Sequence, residues 1–271
     1  RKKILPLELD YDLSAQNVLT LDYCKYRLNE DDWSEELEVW QAQYDIRERL
    51  GMRQIHRNGI EQRYKWINKA HPGDGNDLEL HFEWDSQITV EDSYLLIEEP
   101  KKFEIYFNNQ KVSSTSQGWF LDKAFEKIKI PSIIKGKNKL VLKCKYQNDM
   151  ELENCYLIGN FGVGIDRVIC ELPKKLKIGD WTKQGLLHYC GDIRYKYGYN
   201  HSHNEEKSRV FLRLTEVLAV GVEILVNKNK IEIPWQLDEE IEITSYLNNG
   251  NNLIEIELLG SPRNMLGPLH L

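Results

Sequence analysis

The stretches FEIYFNNQKV at 103–112 and VEILVNKNKI at 222–231 read alike: alternating apolar residues, a turn built on Asn, and a second strand start. Further along lies another matched pair, IIKGKNKLVLKCKY at 133–146 and YLNNGNNLIEIELLG at 246–260. Both read as a turn, a Gly, one residue, an Asn, then an alternating strand. Self-similarity of this kind marks a repeated supersecondary unit, so the chain is expected to hold two copies of one all-β fold.

Working outward, the first copy begins with LELHFEWD, where Leu78, Leu80, Phe82 and Trp84 fall on one face and Glu79, His81 and Glu83 on the other. Short strands separated by polar turns, without long intervening helices, predict antiparallel sheets packed as sandwiches. The expected fold is mainly β: two antiparallel jelly-roll β-sandwiches in tandem, 1–170 and a smaller one at 171–271, with one long helix near 33–50. The helix is read from DDWSEELEVWQAQYDIRERLG. There Asp32 with Glu35 forms a capping-box-like start and Gly51 a left-handed stop. Trp33, Leu37, Trp40 and Tyr44 share a face, expected to pack in the core.

The chain has 271 residues, 41% apolar and 10% aromatic, and a net charge of −7. That acidity argues against nucleic acid as a partner, since phosphate binding needs a basic face. Lys135, Lys137, Lys139, Lys143 and Lys145 alternate along one strand and read as a solvated sheet face. No apolar run is long enough to span a membrane, and no signal peptide is recognisable. The five cysteines (Cys24, Cys144, Cys155, Cys170, Cys190) include no C-x-x-C. Cys24 and Cys144 read as buried thiols, and reduced cysteines point to a cytoplasmic protein. An opening without Met and a close at GPLHL read as a piece of something longer.

IGDWTKQGLLHYCGDIRYKYGY resembles the entry to the galactose-binding-like β-sandwiches of bacterial glycoside hydrolases. The hairpin Val222 to Ile231 followed by Leu247, Gly250, Asn252 and Ile254 is similar to the sugar-binding domain of family 2 glycoside hydrolases. The first copy matches with Phe103 to Val112, Gly136, Asn138 and Leu140. The resemblance implies non-catalytic, carbohydrate-associated accessory domains, a fragment of a larger enzyme whose catalytic barrel lies outside this chain. Two alternatives stay open: a glycoside hydrolase active in its own right, and a structural interaction module without ligand.

Glycoside hydrolysis needs two carboxylates across a cleft. Glu83, Asp85, Glu98 and Glu99 are candidates among many, so no catalytic residue is assigned. His201 and His203, with His188 and Cys190, make a conceivable metal set, but a polar loop with two histidines is usually only that. Sandwiches of this type often hold a structural calcium; no acidic loop here has calcium spacing, and no other cofactor is expected. GNFGVG at 159–164 lacks the Lys-Ser/Thr of a phosphate loop and reads as a turn. Sugar binding asks for open aromatic faces flanked by hydrogen-bonding groups. Trp181, with Asp180, Gln184 and His188 close by, comes first, and Trp119 second. Tyr189, Arg194, Trp235, Arg263 and Asn264 are lesser candidates. The competing account makes Trp181 a plug at the base of the second sandwich.

Overall fold

The computed structural model describes residues 6, 8–56, 60–202, 209–214, 217–233 and 240–267. It is mainly β, with several antiparallel sheets and few helices. The chain divides into two compact units. One is made of residues 19–160 and 167–170; the other takes the residues up to 18, 161–166 and those from 171 onward. The N-terminal stretch is therefore counted with the C-terminal unit, and the larger unit is nested within the smaller one's sequence.

In the inner unit the strand Asn76–Ser86 lies between Tyr23–Leu28 and Gly136–Tyr146. Gly136–Tyr146 is followed by Glu104–Phe107 and Gln110–Val112. The period-two pattern is realised as read: Leu78, Leu80, Phe82 and Trp84 are buried. The outward face carries a charge ladder, with Lys137 opposite Asp85, Lys139 opposite Glu83, Lys143 opposite Glu79 and Lys145 opposite Asp77. Facing unlike charges support the register, and the lysine row is a solvated face. A five-stranded sheet, in which Ser93–Ile97 sits between Cys155–Gly159 and Asp122–Lys129, supplies Leu95, Leu157 and Ile128 to the buried set.

The outer unit repeats this plan. Its sheet runs from Leu176–Lys177 through Glu8–Leu13, Ile193–His201 and Gly250–Leu259 to Gly221–Val226 and Asn229–Lys230. The registers correspond residue for residue. Tyr26 faces Leu80 as Tyr11 faces Tyr195, and Trp84 faces Asn138 as Tyr199 faces Asn252. Phe107 faces Leu140 as Val226 faces Ile254. The short pair Phe211–Leu212 and Ile241–Glu242 forms a second layer. Leu212 and Ile241 pack there with Ile224, Val226, Ile254 and Ile256.

Both copies are pinned by the same bonds. Asn108–Asn109 and Asn227–Lys228 all have positive φ (46°, 67°, 51° and 70°), the requirement of a tight two-residue hairpin turn. The Asn108 amide donates to Oδ1 of buried Asn138 at 2.9 Å, and Asn138 donates back to Ile134 O and Gly136 O at 2.7 and 3.0 Å. In the second copy Asn227 donates to Asn252 Oδ1 at 2.8 Å, and Asn252 donates to Asn248 O and Gly250 O at 2.9 Å each. Gly136 and Gly250, at φ 102° and 92°, occupy the backbone region that a side chain disfavours.

The helix differs from expectation. It spans Val39–Arg49, starting at Glu38 rather than Asp32. The preceding residues are committed to the sheet: Leu37–Glu38 pairs with Tyr23–Cys24, and Ser34 N–H donates to Tyr26 O at 2.9 Å. Its end is as read, with Gly51 N–H bonded to Glu48 O and Met52 N–H to Arg47 O, a Schellman closure. The aromatic face is not core. Val39, Ala42, Ile46 and Arg47 are buried instead, while Trp33, Trp40 and Tyr44 are 38%, 54% and 53% exposed. Arg47 reaches inward to Arg53 O at 2.7 Å and to Asn148 O and Oδ1 at 3.1 and 2.8 Å, bonds that satisfy its buried guanidinium. Cys24 is buried as expected, but Cys144 is only partly so.

Removing either buried carboxamide orphans several backbone groups, each worth about 1–3 kcal/mol. Asn138→Ala and Asn252→Ala should each cost roughly 3 kcal/mol in urea unfolding, whereas exposed Asn200→Ala should cost under about 0.5 kcal/mol. A loss below about 1 kcal/mol at Asn138 or Asn252 would contradict their role as pins.

Candidate functional site

The inner unit holds a cavity of about 210 Å³ with an apolar floor and an acidic rim. Leu80, Leu142 and Ile97, from three strands, form the floor with Met150, Leu152 and Cys155. The rim comes from the strand exit at Glu98 and Glu99 and from the loop carrying Asp149, Glu151 and Glu153. Arg63 pairs with Glu151 at 2.6 Å, and Lys102 with Glu99 at 2.8 Å and Asp149 at 3.7 Å. Five carboxylates thus face two cations. Burial, then Glu151, Asp122 and Glu99, raise the half-buried Glu98 carboxyl above the usual range. A carboxyl so raised holds its proton longer and can donate it. The cavity lies below the roughly 300–1,000 Å³ of pockets that engulf drug-sized ligands. It suits one small polar or cationic group.

The residues selected from the sequence lie in different surroundings. Trp181 is 7% exposed and packs with Leu9, Leu176, Leu186, Tyr189 and Ile193, so neither ring face is open. Its Nε1 is buried without a hydrogen-bond partner. Asp180 caps the short turn of helix Trp181–Lys183, accepting from Thr182 N at 3.0 Å and Thr182 Oγ1 at 2.5 Å. The Thr182 bonds, with Lys183, hold its carboxyl below the usual range. Gln184 closes the same turn, accepting from Lys177 N at 2.7 Å and donating to Lys177 O and Asp180 O at 3.1 Å. His188 is buried at 4% exposure. Trp181, Asp180 and Gln184 therefore build one local structural turn.

Trp119 is 56% exposed on the edge strand Ser116–Phe120, opposite Glu126. Tyr189 is buried, and Arg194 is paired with Glu257 at 2.8 Å. Arg263 and Asn264 begin a short C-terminal helix, where Asn264 donates to Tyr189 O at 3.2 Å. His201 is buried; His203 and Trp235 lie outside the described residues. Among the described residues no three His, Cys, Asp or Glu side chains are grouped to hold a metal. The acidic cavity was missed because its carboxylates come from separate loops; only Glu98 and Glu99 were adjacent enough to draw notice.

No protein-family model and no curated protein matches this sequence. Among solved structures, it is similar to a rhamnosidase from Novosphingobium sp. PP1Y, at 11% identity and TM-score 0.30, over 72% of this chain and 19% of that one. A β-D-mannosidase from Dictyoglomus thermophilum aligns at 14% identity and TM-score 0.30, over 90% and 31%. A Streptomyces avermitilis α-L-rhamnosidase aligns at 9% identity and TM-score 0.33, over 93% and 25%. The chain thus spans less than a third of each of these proteins. Likeness at these scores is too slight to assign a fold or an activity.

Two outcomes are expected. Trp181→Ala should cost roughly 3–5 kcal/mol in denaturant unfolding, as a buried aromatic does; a near-neutral result would mean the ring is dispensable to the core. For Glu98, the folded state binds the proton more tightly than the unfolded chain. Its stabilisation is present below the ordinary carboxyl range and is lost as pH rises through the raised folded value. Glu98→Gln should therefore match the wild type in acid and become more stable than it towards neutrality. A parallel pair of stability–pH curves would show Glu98 to be unperturbed.

Proposed function

We propose that this chain is a non-catalytic, carbohydrate-associated part of a larger bacterial glycoside hydrolase whose catalytic barrel lies outside it. The observation that supports this reading best is the doubled Gly-x-Asn turn. The residues that carry the sequence resemblance, Gly136 with Asn138 and Gly250 with Asn252, form one hydrogen-bonded device twice over. Of the described aromatic residues selected from the sequence as sugar-binding candidates, Trp119 presents the open ring that stacking on pyranose C–H groups requires. Five cysteines with no disulfide among the described residues suit a reducing compartment, so cytoplasmic residence belongs to the same reading.

A second reading, hydrolysis by the chain itself, is favoured by one observation: the raised Glu98 carboxyl among other acids at a cavity. The two separate experimentally. The first expects the intact chain to retain glycans on an array, Trp119→Ala to weaken that retention by up to roughly tenfold, and aryl-glycosides to stay uncleaved. Cleavage abolished by Glu98→Gln would replace it with the second. Neither retention nor cleavage would leave a structural interaction module.

A further inference from the structure

We propose that the exposed face of the helix Val39–Arg49, built by Trp40 and Tyr44, is a stacking platform for uncharged sugar rings. The proposal deepens the carbohydrate reading and rests on it. Trp40 and Tyr44 are four residues apart, so their side chains are neighbours on one helix face. Both remain more than half exposed, although the helix buries a full face of its own through Val39, Ala42, Ile46 and Arg47. Two neighbouring rings left this open on one helix face are the kind of exposed aromatic surface that a ligand can cover.

The platform is preformed. Trp40 Nε1–H donates to the Glu38 carboxylate, which fixes the indole without covering it. Glu38 is itself only 8% exposed, accepts the Tyr23 hydroxyl at 3.4 Å, and donates its N–H to Gln41 Oε1 at 3.2 Å. A ring held in place before binding loses little entropy on binding.

The surrounding charge selects the ligand. Gln41 and Glu48, three residues before and four after Tyr44, are exposed on the same face and offer an amide and a carboxylate to hydroxyl groups. The cations of this helix are committed elsewhere: Arg47 is buried, and Arg49 pairs with Asp31 at 2.5 Å and donates to the Tyr26 hydroxyl at 3.1 Å. Open rings with acceptors and an exposed carboxylate beside them favour neutral sugars and repel uronates and sulfated chains.

The test presents the intact chain, and its W40A/Y44A and W40F/Y44F variants, to an array of neutral, uronate and sulfated glycans. Circular dichroism and sedimentation are run in parallel. The wild type should retain neutral glycans, W40A/Y44A should bind them roughly tenfold more weakly or worse, and the Phe pair should keep much of the binding. If W40A/Y44A is folded and binds as the wild type does, the platform is elsewhere and the carbohydrate reading stands. If the wild type retains no glycan, both fall. A preference for anionic glycans overturns the proposal, as does a wild-type dimer that W40A/Y44A dissolves. Should the Ala pair unfold, the folded Phe pair decides: loss of binding by it overturns the stacking role.

Discussion

The largest sheet of each unit depends on one buried carboxamide. Asn138 and Asn252 sit at the start of the longest pairing in their units, where the chain must leave a tight turn and enter a central strand. Their Oδ1 atoms take the turn's amides, Ile134 N at 2.9 Å and Asn248 N at 2.7 Å, and their Nδ2 atoms return the bonds to the turn's carbonyls. The hairpin Asn adds the cross-link to the neighbouring strand: Asn108 Oδ1 accepts Lys139 N, and Asn227 Oδ1 accepts Leu253 N. A slip of one residue would break this network and turn every apolar side chain to the wrong face. Burying an amide is costly unless it is fully bonded, and here that condition makes it a specifier of register.

With register fixed inside, the outer surface is free to vary. The Lys–acid ladder on the inner unit's sheet contributes little per pair at an exposed site, but it keeps the face wet and the alternation legible. Trp33 lies over His81 on that face at 3.9 Å between centroids, with Arg27 at 4.8 Å from the indole. Burial, then the nearby Lys139, pushes the His81 imidazole down to about 4. At neutral pH it is an uncharged surface for Trp33 to cover. Among the described residues Trp40 and Tyr44 have no such partner ring, which leaves their faces open.

The strand pattern and the doubled turns were legible because they rest on local chemistry: alternation, Asn at a hairpin, Gly before Asn. The repeat was only half visible, however. Leu78-Glu79-Leu80 and Ile193-Arg194-Tyr195 occupy equivalent sheet positions, yet a pleated surface accepts Leu, Ile and Tyr alike, so little sequence likeness survives. The helix was misread for a related reason. Spacing announces a face without saying which side it takes, and Arg47, a charged residue sequence logic places in water, won the interior by meeting backbone carbonyls. Trp181 attracted notice through polar neighbours that serve their own turn. Of the acidic cavity, only the adjacent pair Glu98-Glu99 left a local signal.

The nesting has a physical consequence for how the outer sheet closes. Leu13 pairs with Ile193, 180 residues on (193 − 13), while Leu28 pairs with Leu78, 50 residues on (78 − 28). Loop-closure entropy makes the longer connection about 1 kcal/mol dearer, if the intervening chain is flexible. Folding of the inner unit would remove much of that flexibility. At the outer unit's neck, Asn17 donates to Phe161 O at 2.9 Å and to Gly185 O at 3.1 Å, tying the departing chain to the returning one. Once those bonds form, the outer sheet needs to organise only the residues beyond Phe161. A long insertion between the first and second strands of a sheet is tolerable when it folds as a unit and its two ends are fastened together. Asn17, only 1% exposed, is a side chain that fastens them, and Arg167 adds a bond to Thr20 O at 3.0 Å.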